Sequence, residues 1–176
     1  LLYYAPLFAL LHYAIKLMME KMYFIIRRDA RSGMKKFQII KFRSMVVGAE
    51  KFAGAQLAQN RDPRMTRVGY ILRKYKLDEL PQLINIFRGE MSFVGPRPER
   101  PELIEDIAEK VPEFTFRTTV RAGLTGYAQV HGDYHTEFLD KLKWDLMYIE
   151  NFSLMLDLKI LLMTIPVVLK GTDDVK

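Results

Sequence analysis

Asp78 and Glu79 stand side by side in a stretch crowded with cations: Arg61, Arg64, Arg67, Arg73, Lys74 and Lys76 precede them, and Arg88, Arg97 and Arg100 follow. A carboxylate beside phosphate-binding cations can attack phosphorus or hold Mg2+. An Asp N-cap followed by Glu is also ordinary helix punctuation, so the pair by itself leaves both readings open. A helix starting at Asp78 would present free N–H groups and a positive dipole end, favourable to a carboxylate and to an incoming phosphate. In Gly95-Pro96-Arg97-Pro98 an arginine sits on a stiff backbone, suited to bidentate contact with a pyrophosphate or simply to a rigid turn. Lys41 and Arg43 flank Phe42, so on a strand they share one face, towards phosphate or towards solvent. There are no cysteines and three histidines. Disulfides and thiolate metal sites are thereby excluded, and any metal is expected to be hard and oxygen-bound. His131 and His135 read as surface or loop residues.

The elements that must position these groups read as α+β, mostly helical, in one catalytic domain over 20–176 preceded by a membrane helix in 1–19. Within 1–15 only His12 is clearly polar, and such a helix reaches roughly 22 Å, short of a hydrocarbon core of roughly 30 Å. Pro6 would bend it, which fits a helix that enters and turns back. The abrupt start at Leu1 suggests an upstream part. Residues 20–31, with Lys21, Arg27, Arg28 and Arg31, read as the exit on the cytoplasmic side. The pattern then predicts a strand over 37–45, a helix over 46–59, a helix over 67–75 capped by Thr66, and another from Asp78 to about Gly89 with Pro81 in its first turn.

Gly and two prolines make 92–98 a loop. A helix follows over 101–110 with Leu103, Ile104 and Ile107 inward, then loop and short strand over 118–132. Amphipathic helices are expected over 138–151 and 153–170. Residues 160–169 lack charge but are too few to span, so the last helix belongs in the membrane interface or the core. Trp144, Met147, Tyr148, Phe152, Met155 and Met163 read as core or membrane contacts. The net charge of +6 favours an anionic partner. One explanation is a non-enzymatic basic module docking on anionic lipid. It leaves the Asp78-Glu79 pair unexplained, and apolar ends argue against a nucleic-acid binder.

Five ordered motifs carry a resemblance. They are Lys41-Phe42-Arg43-Ser44-Met45; Asp62-Pro63-Arg64 with Thr66-Arg67-Val68-Gly69; Leu77-Asp78-Glu79-Leu80-Pro81-Gln82; Met91-Ser92-Phe93-Val94-Gly95-Pro96-Arg97-Pro98; and Gly123-Leu124-Thr125-Gly126-Tyr127-Ala128-Gln129-Val130. The chain resembles the bacterial sugar transferase family, monotopic phosphoglycosyl transferases that begin capsule, exopolysaccharide and O-antigen assembly. The resemblance implies transfer of a sugar 1-phosphate from a UDP-sugar to polyprenyl (undecaprenyl) phosphate, with release of UMP, by a ping-pong route through an aspartyl intermediate. It implies Asp78 as nucleophile and Mg2+ ligand and Glu79 as its partner, which helps position or deprotonate the acceptor. Lys41, Arg43, Arg73, Arg97 and Gln129 are expected at phosphate or substrate. It also implies a re-entrant helix bent at a Ser-Pro pair, where this chain has Ala5-Pro6. The expected setting is the cytoplasmic face of the bacterial inner membrane, with a homo-oligomer left open.

Overall fold

The computed structural model describes residues 19–29, 33–46, 48–49, 62–132 and 136–171. The expected re-entrant helix of 1–19 apart from Met19, most of the helix over 46–59, Arg61 and His135 lie outside them. The order is β1 (Met19–Asp29), β2 (Gly33–Phe42), α1 (Arg67–Lys74), a 3-10 turn (Leu77–Glu79), α2 (Gln82–Phe87), β3 (Ser92–Val94), α3 (Pro101–Lys110), a 3-10 segment (Pro112–Thr119), β4 (Gly123–Thr125), α4 (Tyr127–His131), α5 (Phe138–Glu150) and α6 (Leu154–Lys170). The described residues are α+β and mostly helical, as expected.

Residues 20–29 of the segment read as a basic exit belong to β1. It pairs antiparallel with β2 from Met19 opposite Phe42 to Asp29 opposite Gly33, with a register shift between Ile25 and Arg27. A hairpin satisfies the backbone of both strands at once, and charged residues are tolerated on a ladder of this kind. The expected loop of 92–98 begins with a true strand: β3 pairs parallel with β4, Ser92 opposite Gly123 and Val94 opposite Thr125. A parallel pair needs a long crossover, here α3 and the 3-10 segment. Gly95 and Gly123 pack so closely that a Cβ on Gly95 would strike the Arg121 carbonyl and one on Gly123 the Gly95 nitrogen.

Three apolar clusters hold these pieces. Ile39, Met91 and Ala122 join β2 to the β3–β4 pair, with Phe37 and Ile86 against them. Ile104, Phe114 and Leu142 join α3, the 3-10 segment and α5. Val94, Tyr148 and Ile160 join β3 to α5 and α6. Helix α3 is the one expected at 101–110, with Ile104 buried and Leu103 and Ile107 half-buried. Ser153 caps α6 by accepting from the Leu156 N–H. Pro166 lies inside α6, and Thr164 on the same helix shares a hydrogen bond with Thr125 Oγ1 at 2.8 Å. Tyr148 donates to Asp157 Oδ1 at 2.8 Å. Leu154, Met155, Leu162, Ile165 and Leu169 are exposed along α6. No helix among the described residues is long and apolar enough to cross a membrane.

Candidate active site

Thr66 is the N-cap expected for α1: its Oγ1 accepts from the Gly69 N–H at 2.9 Å and donates to the Ser44 carbonyl at 3.2 Å. A Cβ on Gly69 would collide with that same Ser44 carbonyl. The helix carrying Arg73 therefore lies directly on the chain leaving β2.

Two residues beyond α1, Lys76 opens the next turn in the left-handed region at φ 56°, a conformation that residues other than glycine rarely adopt and that clusters at functional sites. The chain then tightens into the 3-10 turn, with Glu79 N–H bonded to the Lys76 carbonyl and Leu80 N–H to the Leu77 carbonyl. Asp78 is not the N-cap of the next helix. Helix α2 begins only at Gln82, with Pro81 at its cap and no capping side chain. Pro81 has no N–H to continue an α-helical ladder back to Leu77, so the turn cannot propagate and helical bonding restarts beyond it. The dipole argument for Asp78 falls with the cap. What replaces it is burial among fixed cations.

Asp78 and Glu79 are 5% and 7% exposed. Arg97 Nη2 donates to Glu79 Oε1 at 2.7 Å. Burial alone would raise the Glu79 carboxyl, but Arg97 and Lys41 outweigh it and hold it down at about 2. Asp78 goes the other way: burial and the neighbouring Glu79 charge raise it, opposed by Lys41, Arg73 and Lys76. Burial also pushes the Lys41 ammonium down, with Glu79 and Asp78 opposing. Two adjacent carboxyls are thus driven apart, one held charged in a fixed ion pair and the other raised, a divergence that is common at functional sites. Asp78 Oδ1 is buried with no hydrogen-bond partner among the described residues. Such an oxygen is costly unless something else is meant to meet it.

Of the residues expected here, the fold brings Asp78, Glu79, Lys41, Arg73 and Arg97 together and adds Lys76. Arg43 stands one residue beyond the end of β2 and is not among the principal charges acting on either carboxyl. Gln129 lies on α4, donates to the Leu124 carbonyl at 3.2 Å and keeps a buried, unpartnered Oε1. Arg64 is turned to Asp62, at 2.6 and 2.9 Å. His131 stacks near Tyr127 and Trp144.

Asn85 is a supporting residue that pattern reading missed. Fully buried on α2, it accepts from the Ile40 N–H at 3.1 Å and donates to the Gln38 carbonyl at 2.7 Å and to Glu90 at 2.6 Å. Its side-chain amide stands in for a neighbouring strand and fixes β2 one residue from Lys41. Asn85→Ala leaves a buried N–H and C=O without this partner, and should cost about 3 kcal/mol of stability. Denaturant midpoints would check this.

Among the described residues no group of three or more His, Cys, Asp or Glu side chains could hold a metal. With Glu79 engaged by Arg97, the donor that fits is the unpartnered Asp78 Oδ1. A single carboxylate suits Mg2+, which keeps several waters and takes further oxygens from substrate phosphates.

A model of the family described as bacterial sugar transferase matches residues 1–171. The chain is 39% identical over 171 residues to a UDP-N-acetylgalactosamine-undecaprenyl-phosphate N-acetylgalactosaminephosphotransferase of Aeromonas hydrophila, covering 96% of this chain and 40% of that protein. It is 43% identical to a UDP-glucose:undecaprenyl-phosphate glucose-1-phosphate transferase of Caulobacter vibrioides, covering 93% of this chain and 62% of the relative. To the exopolysaccharide production protein ExoY of Rhizobium meliloti it is 37% identical, over 96% of this chain and 79% of the relative. The chain thus spans 40% and 62% of the first two relatives, less than two thirds of each. With a match over nearly its whole length, this chain belongs to the bacterial sugar transferase family.

Proposed function

We propose that this chain is the catalytic part of a phosphoglycosyl transferase that moves a sugar 1-phosphate from a UDP-sugar to undecaprenyl phosphate, releasing UMP. The observation that carries the reading is the buried, unpartnered Asp78 Oδ1 facing a cluster of Lys41, Arg73 and Lys76 beside a Glu79 locked by Arg97. The relatives' names supply the substrate classes.

In the first displacement an Asp78 oxygen forms a bond to the sugar-bearing phosphorus, and the bond from that phosphorus to the bridging oxygen breaks. The electron pair leaves with UMP. In the second, an oxygen of the acceptor phosphate forms the new bond and the Asp78 carboxylate is released. A bound Mg2+ at Asp78 supplies charge neutralisation for the phosphate oxygens. Lys41, Arg73 and Lys76 offset the negative charge gathered around Asp78. Glu79, held near 2, is ionised and hydrogen-bonded, so it orients Arg97 and is a poor group for taking a proton from the acceptor. The exposed apolar residues of α6, with Phe138, Leu139 and Phe152, provide a surface for the membrane interface, and the acceptor lipid then arrives at the cytoplasmic face.

The test is UMP release in detergent across a panel of UDP-sugars with undecaprenyl phosphate. Multiple-turnover release that depends on both substrates supports the transferase, with at most one equivalent of UMP freed by the donor alone. A protein that binds anionic vesicles but frees no UMP from any donor is a lipid-docking module.

A further inference from the structure

Arg117 touches neither carboxyl, yet it grips the loop that does. Its side chain is 6% exposed. Nε and Nη2 donate to Asp145 Oδ2 at 3.1 and 2.7 Å, and Nη2 also donates to the backbone carbonyl of Arg97 at 3.1 Å. Nη1 lies 3.7 Å from Glu99, and the guanidinium sits 4.7 Å from the Phe114 ring. One planar fork therefore ties α5, through Asp145, to the loop on which Arg97 stands.

That loop has little freedom of its own. Pro96 and Pro98 fix φ on both sides of Arg97, and Gly123 N–H holds the Pro96 carbonyl at 3.0 Å. The Arg97 carbonyl is the remaining point from which the loop could turn, and Arg117 occupies it. A lysine could balance Asp145, but its three donors leave one nitrogen on a flexible stem, so it lacks the rigid fork with which the guanidinium grips carboxylate and carbonyl in one fixed plane.

We infer that Arg117 is a positioning residue for Arg97: it pins the backbone from which Arg97 reaches Glu79, and Asp145 holds Arg117 in that pose. The inference rests on the reading of Asp78 and Glu79 as the reacting centre. Its rival is a buried ion pair that serves stability alone, since such pairs often stabilise little and only penalise the loss of one partner.

A double-mutant cycle separates the two. Arg117→Lys should lower kcat/KM about tenfold. In an Arg97→Ala background the same change should cost less than about twofold, because the guanidinium it positions is gone. The Nε–Hε resonance of Arg97, observed with 15N-arginine in detergent and assigned by its absence in Arg97→Lys, should shift in Arg117→Lys. Should that variant fold poorly, Arg117→Gln with Asp145→Asn removes both buried charges and should give the same shift. Equal losses in the two backgrounds, or an unmoved Arg97 resonance in a folded variant, would overturn the inference. Full turnover by Asp78→Asn would sink the reading of the reacting centre instead, while leaving the Arg97 resonance free to report on Arg117.

Discussion

Asp78→Asn should lose turnover by about a thousandfold or more, since an amide is a far poorer nucleophile and metal ligand than a carboxylate. The parent chain, mixed with a UDP-sugar and no acceptor, should gain the mass of a phosphosugar on the peptide containing Asp78, and the variant should gain none. Varying donor and acceptor should yield parallel double-reciprocal lines, the mark of two half-reactions separated by release of the first product, with each substrate meeting a different enzyme form. The expectation follows from the pair's asymmetry: Glu79 is committed to Arg97, while Asp78 keeps a buried oxygen without a partner. Intersecting lines with no adduct in a single turnover would mean direct attack by the lipid phosphate, and Asp78 would keep only a ligand's role.

Removal of divalent cation should be nearly as damaging. Excess EDTA is expected to reduce UMP release by about a thousandfold, the order of several kcal/mol that a cation contributes at phosphoryl oxygens, and Mg2+ should restore it. The described residues place cations near Asp78 but only one carboxylate free to take a metal. Binding should therefore be weak without nucleotide and tighter with it, because substrate phosphates complete the shell. Calorimetric titration of Mg2+ with and without UMP measures this difference. Undiminished turnover in excess chelator would leave the phosphate charge to Lys41, Arg73 and Lys76 alone.

Local chemistry was the most legible part of the sequence. Thr66 announced its helix because a hydroxyl cap acts within three residues, and the helices expected over 101–110 and 153–170 form with Pro101 in the first turn of α3 and Ser153 capping α6. Asp78 misled for a related reason. Its type suits an N-cap, but the left-handed Lys76 and the missing N–H of Pro81 confine it to a 3-10 turn. The strands β3 and β4, three residues each, are too short to show a period. β1 was lost because its lysines and arginines outweighed its alternation. Asn85 had no signal at all: nothing about an asparagine inside an apolar helix discloses partners 45 and 47 residues away. The cationic cluster was legible as composition and motif, while its geometry depended on contacts of this long-range kind.

The parallel pairing of β3 with β4 also sets an order of events during synthesis. The turn bearing both carboxylates closes through hydrogen bonds three residues apart, and turns of that size form early. Arg97 is settled only when Gly123 has met Ser92 and Pro96, a loop that must wait for the whole crossover to emerge and fold. A nascent chain halted before Gly123 carries Asp78 but not the strand that fixes the clamp on Glu79. Competence therefore arrives late in translation, and truncated chains released from the ribosome should be inert towards nucleotide sugars even though both acids are present.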